Sequence, residues 1–441
     1  MTGRLGHSRA VQTKAVGATD VGSVRQHNED HFLIDAELGL YLVCDGMGGH
    51  AAGDVASKSA AETVRTYLSQ RSDVLRAVAE GKASPDEAAS LLRHAIQAAS
   101  AAIHAMGKSD KSKRGMGTTC VGMLVLGGKG IMGHVGDSRL YLCRAGQVYQ
   151  LSEDHTFVQE AIRRGMLTPE QAENNPHQNL VTRAVGPNPS VLVDTLVFDV
   201  LPGDSLLLCS DGLHGYFKEH AEISATLRRP DELAPICQYF VDTANERGGG
   251  DNITALIVRA MATSEPQLTA RATRVTAELA ALGHIVLFSE LDMKELVKVN
   301  NSFEHRDYGP DEIVVHEGDV AESLFVIVGG AASVTRGGVQ IALLRAGDHF
   351  GEMALLSRRP RSATVRTLKK CTMLSLERDA FYEIMRTNQV IASKFLWRLA
   401  QTLSLRLDDI YVLQDQVGGD TMIDKRNTKK YGIFPSPFDD R

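Results

Sequence analysis

The chain of 441 residues is poor in aromatic side chains, at 5% with a single tryptophan. It contains no apolar run approaching the ~20 residues that a membrane-spanning helix requires. Its six cysteines, at positions 44, 120, 143, 209, 237 and 371, form no C-x-x-C pair, which removes the commonest signature of a zinc or dithiol site. Most of them stand inside apolar, strand-like runs and read as small core residues of a reduced, cytoplasmic protein. The opening "MTGRLGHSRAVQTK" is basic but has no apolar segment, so no secretory signal is expected. A net charge of -6 argues against nucleic-acid binding by bulk electrostatics. Internal repeats and a Walker-type phosphate loop are also missing.

What remains is an ordinary soluble composition, 43% hydrophobic and 23% charged, long enough for two or three domains. From about Val16 to Ala260 short β runs such as "LGLYLV", "KGIMGHVG", "DSLLLCS" and "NITALIVRA" alternate with helical spacing over 51–69, 86–107 and 231–246. The polar stretch 152–190 reads as a surface flap rather than core. A break at 261–269, "MATSEPQLT", leads into a helical segment over 270–283. A second domain begins near His284, with dense short strands punctuated by Gly318, Gly330, Gly337, Gly338 and Gly347, the spacing of a β-roll. Helical spacing returns over 378–386 and 389–414, and the polar tail beyond reads as disordered.

Acids recur where strands begin or end. Asp45 follows "LYLVC", Asp137 follows "IMGHVG", Asp211 follows "LLLCS", and Asp251 precedes "ITALIV". In an antiparallel sheet, strand starts and stops share an edge, so four carboxylates can converge at one end of the fold. "RQHNEDHF" adds Glu29 and Asp30 beside another strand start. Clustered carboxylates call for a cation, and all-oxygen ligation suits Mg²⁺ or Mn²⁺. Two such ions ~3.5–4 Å apart can hold a hydroxide poised for in-line attack on phosphorus. In "CDGMGGHAAG" the bare Gly46 could turn its carbonyl to a metal, and Arg25 would fork a phosphate. For any one acid, a turn or cap is the simpler reading; for four together, coincidence is a poor explanation.

In order, "VRQHNEDHF", "DGMGGHAAG", "GMGTT", "GHVGDSR", "CSDGL" and "GGGDNIT" resemble the metal-dependent (type 2C, PPM) protein phosphatases in their bacterial form, over roughly 16–260. The resemblance implies paired antiparallel sheets flanked by helices, with a dinuclear centre at one end. It makes Asp45 the bridging carboxylate and Gly46 the carbonyl ligand, with Asp211 and Asp251 as further ligands. Asp137 with Asp211 would form the third-metal site of bacterial members. Glu29 and Asp30 would act through metal-bound water, and Arg25 would hold the substrate phosphate. His50 stands either as a general acid for the leaving oxygen or as a helix N-terminal residue without chemistry, while His134, His155 and His214 read as structural or flap residues.

In the second domain, "HFGEMALLSRRPRSATVR" opens a short helix at Gly351 whose amides could face an anion, with Glu352 and Arg361 able to share one small pocket. The alternative is a helix with a capping Glu and a solvated basic turn. With "HEGD" and "AGDHFGE", this stretch resembles the cyclic nucleotide-binding domain over about 285–412. The resemblance implies Glu352 on the ribose 2′-hydroxyl, Arg361 on the cyclic phosphate, and Gly351, Ser362 and Ala363 lining the cassette. Ser362 leans toward cAMP over cGMP, and Tyr411 or Trp397 could cap the base or belong to the core. Fewer than thirty residues follow the last helix, which speaks against a DNA-reading appendage.

The fold class expected is therefore α+β: a phosphatase-type α/β/β/α antiparallel sandwich (14–260), a linker with helix (261–284), a helix-flanked β-roll (285–412) and a disordered tail (413–441). The function expected is a phosphoserine/phosphothreonine protein phosphatase using two or three Mn²⁺ or Mg²⁺ ions and regulated by cyclic nucleotide. Its partners would be phosphorylated proteins made by a bacterial Ser/Thr kinase, without nucleic acid or membrane span. A phosphoprotein-binding scaffold that senses cyclic nucleotide is the alternative.

Overall fold

The computed structural model describes residues 11–48, 52–173, 175–263, 265–401 and 404. The described chain forms two compact units that divide between Thr273 and Arg274. His50, Tyr411 and the tail 413–441 lie outside the described residues.

The strands of the first unit are β1 (Thr13–Asp20), β2 (Asp30–Asp35), β3 (Leu40–Met47), β4 (Gly117–Thr118), β5 (Cys120–Leu126), β6 (Lys129–Val135), β7 (Arg139–Arg144), β8 (Gln147–Gln150), β9 (Asp194–Asp199), β10 (Ser205–Cys209) and β11 (Ile253–Ala260). They make two antiparallel sheets, one ordered β2-β3-β5-β6-β9 with β4 on β3, the other β1-β11-β10-β7-β8. Strand periodicity explains the layering. On β3, Leu40, Leu42 and Cys44 join the cluster formed with the helices Ala52–Ser69 and Pro85–Ser109. Tyr41 and Val43 are also buried but lie outside that cluster, so they face the other sheet, as a period of two demands. The Tyr41 hydroxyl lies 2.8 Å from Thr13 Oγ1 on β1, across the interface. On β10, Leu207 and Cys209 face the helix Leu233–Glu246, leaving Leu206 and Leu208 between the sheets. Truncating one such leucine to alanine costs about 2–5 kcal/mol.

The helices are sharply started and apolar on one stripe. Pro85–Ser109 opens with a capping box, Ser84 accepting from Asp86 N–H and Glu87 reaching back, with Pro85 in the first turn. Its buried residues Ala88, Leu92, Ala95, Ile96, Ala99 and Ile103 recur at helical spacing.

Two expectations need correction. Asp45 and Gly46 do not follow a strand; β3 continues through Met47, because Asp45 pairs with Asp30 on β2 and Gly46 with Thr118 on β4. The stretch 152–190 is not wholly surface: Ser152, His155, Thr156, Ala161, Ala172 and Val185 are buried, and Val185 bridges to Thr118. Its exposed middle is rooted in the domain at both ends.

The second unit contains β12 (Glu304–Tyr308), β13 (Ile313–Val315), β14 (Ser323–Gly329), β15 (Ala331–Arg336), β16 (Val339–Arg345), β17 (His349–Phe350), β18 (Thr364–Thr367) and β19 (Cys371–Glu377). They form two four-stranded antiparallel sheets, β12-β19-β14-β17 and β13-β18-β15-β16. Phe325, Ile327, Val365 and Met373 fill the roll between them. Leu324, Val326, Leu374 and Leu376 alternate with these and pack outward against Leu282, Phe288, Phe381 and Phe395 of the flanking helical segments.

Candidate metal centre and anion cassette

Asp30 and Asp45 are register partners, so both side chains leave the same face of their sheet. That face looks at the second sheet: Asp30 Oδ2 accepts from Thr254 Oγ1 on β11 at 2.6 Å and from Ser210 Oγ after β10 at 2.7 Å. Among the described residues its other oxygen is buried without a partner, as is Oδ1 of Asp211. Asp211 opens a helical turn after β10, Asp251 stands before β11, and Asp137 occupies the passage from β6 to β7, where the chain crosses between sheets.

These acids act on one another. Burial pushes Asp30 up to about 7 against its two hydroxyl partners, with Asp211 and Asp251 adding repulsion. Asp137 is pushed up to about 7 by burial and then by Asp211 and Asp154. Asp45 is driven well above the carboxylate range by burial and by Asp30, Asp211, Asp137 and Asp251. Asp211 is raised by burial and by Asp251, although it shares a hydrogen bond with Asp45. The four expected acids and Asp30 thus meet at one end of the sandwich. They are not drawn onto one point: among the described residues no three His, Cys, Asp or Glu side chains are gathered tightly enough to hold an ion as they stand. Asp251 instead meets Arg25 at 2.7 Å in an exposed pair, so the guanidinium expected on a phosphate rests on an acid.

Packing accounts for Gly46 and Gly53 in "DGMGGHAAG". A Cβ on Gly46 would lie 2.2 Å from the Gly53 carbonyl oxygen and 2.6 Å from that of Glu29. The Glu29 carbonyl accepts from Gly46 N–H at 3.1 Å and from Ser57 Oγ at 2.7 Å, and its carboxyl lies against Gly53. Three histidines brace the Asp137 turn. His214 Nε2 lies 3.0 Å from the Asp137 carbonyl oxygen, His134 Nε2 lies 2.8 Å from that of Ser138, and His155 Nδ1 accepts from Gly136 N–H at 3.1 Å. Burial pushes His134 and His214 down to about 3, so both are neutral.

In the second unit, Gly351 takes φ +83°, and a Cβ there would lie 2.4 Å from Arg361 Nη1. Arg361 is 8% exposed. Its Nη2 donates to Ser323 Oγ at 3.1 Å, while Nε and Nη1 are buried without partners among the described residues. Glu352 stands at the N-cap of Met353–Leu356 but its side chain makes no capping bond, so the capping alternative fails. Ser362 is exposed and Ala363 half-buried beside them. Trp397 is half-buried, its indole nitrogen enclosed without a partner.

Residues 21–257 match the family model for protein phosphatase 2C. The chain belongs to the protein phosphatase 2C family. Residues 305–388 match the model for the cyclic nucleotide-binding domain, which the chain carries after its phosphatase domain. The serine/threonine phosphatase Stp of Listeria innocua is 37% identical over 243 residues, 54% of this chain and 93% of that protein. Protein phosphatase PhpP of Streptococcus pneumoniae is 34% identical over 244 residues, 54% of this chain and 94% of its own. The solved S. agalactiae serine/threonine phosphatase is similar with a TM-score of 0.51 at 32% identity, covering 56% of this chain and all of that one. The enzyme is a serine/threonine phosphatase. Among the described residues no helix is long and apolar enough to cross a membrane.

Several residues of the phosphatase end escaped the sequence reading. Asn252 fastens the Arg25–Glu29 loop, donating to the carbonyls of Val21 and His27 at 2.9 Å each and accepting from Glu29 N–H at 2.8 Å. Its place directly after Asp251 in "GGGDNIT" was the available signal. Ser210 and Thr254, which hold Asp30, carry none. In the second unit Arg378 fastens the Met353–Leu356 turn, donating to the carbonyls of Ala354 at 2.5 Å and Ser357 at 3.0 Å.

Proposed function

We propose that the enzyme hydrolyses phosphoserine and phosphothreonine in proteins with the aid of Mn²⁺ or Mg²⁺, and that cyclic nucleotide bound to the second domain governs the rate. The observation that carries the first half is the group of acids at one end of the sandwich, of which Asp30, Asp45, Asp137 and Asp211 are raised by burial and by neighbouring acids. An all-oxygen donor set with orphaned buried carboxylate oxygens fits hard divalent ions. Asp45, the Gly46 carbonyl, Asp211 and Asp251 would hold two ions, and Asp137 with Asp211 a third. Such ions supply charge neutralisation at the phosphate and a water acidic enough to react near neutral pH.

The protein's own groups would do the positioning. Asp30, pinned by Ser210 and Thr254, and Glu29, pressed against Gly53, would orient water at the centre. Arg25 is exposed and tied to Asp251 through one nitrogen, so it can swing its fork to the substrate phosphate. The substrates would be phosphoproteins produced by a bacterial Ser/Thr kinase.

Arg361, buried with two unpartnered nitrogens beside Gly351, supports the cyclic phosphate there, with Glu352 on the ribose and Ser362 favouring cAMP. The helix Pro266–His284 is the covalent route between the units. It is tied early by Arg271 to Asp199 and late by Glu278 to His305 at 2.9 Å. Binding changes turnover only through differential contacts of this kind. The test measures Mn²⁺-dependent turnover against cAMP and cGMP, with nucleotide titrations in the presence and absence of an unreactive phosphopeptide. A coupling of ~1–3 kcal/mol would appear as about 5–150-fold in binding, equal in both directions. Turnover and affinity indifferent to the other ligand would leave two independent domains. No Mn²⁺-dependent hydrolysis at all would favour the scaffold reading.

A further inference from the structure

The end of the second sheet away from the acids holds a cavity of roughly 350 Å³ lined by Arg228, Arg229 and Arg259, by Ser205 and Leu227, and by the turns around Gly146 and Gly203. Strand direction fixes its place. Asp137 stands before β7, Asp211 after β10 and Asp251 before β11, whereas Ala145 follows β7, Ser205 starts β10 and Arg259 lies near the end of β11. Six to eight residues at ~3.3 Å each separate the two ends, roughly 20 Å or more.

Among the described residues no carboxylate lines the cavity. Asp204, next to Ser205, is engaged elsewhere, accepting from Arg144 at 2.7 and 3.0 Å and from Leu201 N–H at 2.7 Å. Among the described residues none of the three arginines forms an ion pair. Two of them are nevertheless held in place. Arg259 donates to the Leu227 carbonyl at 2.7 Å and to Ser205 Oγ at 3.3 Å, and burial lowers its pKa. Arg229 stacks on Tyr239 at 3.8 Å. Arg228 lies over Gly146, whose φ is +83° and where a Cβ would come within 3.0 Å of Nη1. Three cations gathered without a counter-charge repel one another, and the cost is offset when a multiply charged oxyanion bridges them.

We propose that this cavity is a second, non-catalytic phosphate site, taking a phosphomonoester or orthophosphate dianion on the opposite end of the sheet from the reaction centre. Guanidinium forks match phosphate oxygens, the Ser205 hydroxyl adds a donor, and the sparse apolar lining gives no slot for a nucleobase. The site would let the enzyme sense its own product or hold a second phosphorylated residue of its substrate.

The test is calorimetric titration of the full chain in EDTA with orthophosphate, a phosphothreonine peptide and the same peptide unphosphorylated. Binding should weaken with added salt and fall at least about tenfold in Arg228→Glu/Arg229→Glu, whose side chains support no core packing. Asp45→Asn and Arg361→Ala should leave it intact. Binding of orthophosphate and phosphopeptide alike identifies free phosphate as a sufficient ligand; binding of the phosphopeptide alone identifies the substrate side chain. Failure of both phosphates to bind, or binding indifferent to the double substitution, overturns the proposal. Circular dichroism of the double variant checks that any loss is not unfolding.

Discussion

At one end of the phosphatase domain, Asp30, Asp45, Asp137, Asp211 and Asp251 crowd acidic groups into a buried space where neighbouring acids help to raise four of them. In the cyclic nucleotide-binding domain Arg361 is buried with two of its nitrogens unpartnered among the described residues. The two regions reach the same condition with opposite sign. Each contains polar groups that the fold alone does not satisfy, and each such group costs stability unless something of opposite charge meets it. They differ in how the cost is spread. The acids stand on both sheets, and Asp30 takes two hydroxyl donors from the opposite sheet, so their repulsion is distributed over several strands. Arg361 lies over the Phe325 ring, 5.7 Å from its centroid, and its guanidinium donates to one serine. A cation-seeking site therefore tolerates partial loss in folding but not in chemistry, whereas an anion-seeking site built on one residue loses its ligand at a single substitution.

The largest expected effect breaks the comparison at the acidic end. Asp45→Asn should lower Mn²⁺-dependent hydrolysis of p-nitrophenyl phosphate by well over the ~10–100-fold typical of losing an outer-shell partner. The same variant, melted in EDTA, should be no less stable than the parent, because one of the mutually repelling charges is gone. Near-normal turnover would remove Asp45 from the metal centre. A lower melting point would mean that its carboxylate stabilises the fold directly.

The cassette should respond in the opposite way. Arg361→Ala should weaken cyclic nucleotide binding at least about tenfold while basal turnover stays at the parental level. Gly351→Ala should weaken it as well, since a Cβ there would lie 2.4 Å from Arg361 Nη1 and 2.8 Å from the Ser323 carbonyl oxygen. Calorimetry with cAMP and cGMP decides. Unchanged affinity in Arg361→Ala would show that the buried cation serves the roll and not a ligand.

The acids were legible because a carboxylate beside a glycine at a strand boundary is a local signal, repeated four times. Their support was not, because it is assembled over long separations. Asp30 is held by Ser210 and Thr254, 180 and 224 positions away, and neither residue stands out within an apolar strand. The same holds for Arg378, whose carbonyl partners at Ala321 and Ala354 lie 57 and 24 positions back. The end of β3 was misplaced because Asp and Gly are poor strand formers. Pairing with β2 on one side and the two-residue β4 on the other overrides that preference. The flap was read as surface from its polarity, yet Thr156 and Val185 are anchored by isolated bridges that leave no trace in composition.

The smallest effect concerns pH and sharpens the contrast within the phosphatase domain itself. Asp30 and Asp137 sit at about 7 in the folded chain, pushed up first by burial, against an ordinary value of about 4. Between those values the folded state binds protons that the unfolded chain has released, so stability must fall as pH rises through the window, and the loss is complete above it. Asp154 and Asp194 behave oppositely. Burial opposes them, but Arg139 outweighs it for Asp154, and His155 with Arg183 for Asp194, so both stay below the usual range and their contribution disappears only in acid. In EDTA the phosphatase domain should therefore melt highest near pH 5 and lower at pH 8, each kcal/mol lost moving the midpoint by about 2–4 °C. Mn²⁺ should reverse the slope, because it binds the deprotonated acids and its stabilisation grows with pH. A midpoint in EDTA that rises from pH 5 to pH 8 would mean that the five acids are already satisfied by the protein and hold no charge in reserve for an ion.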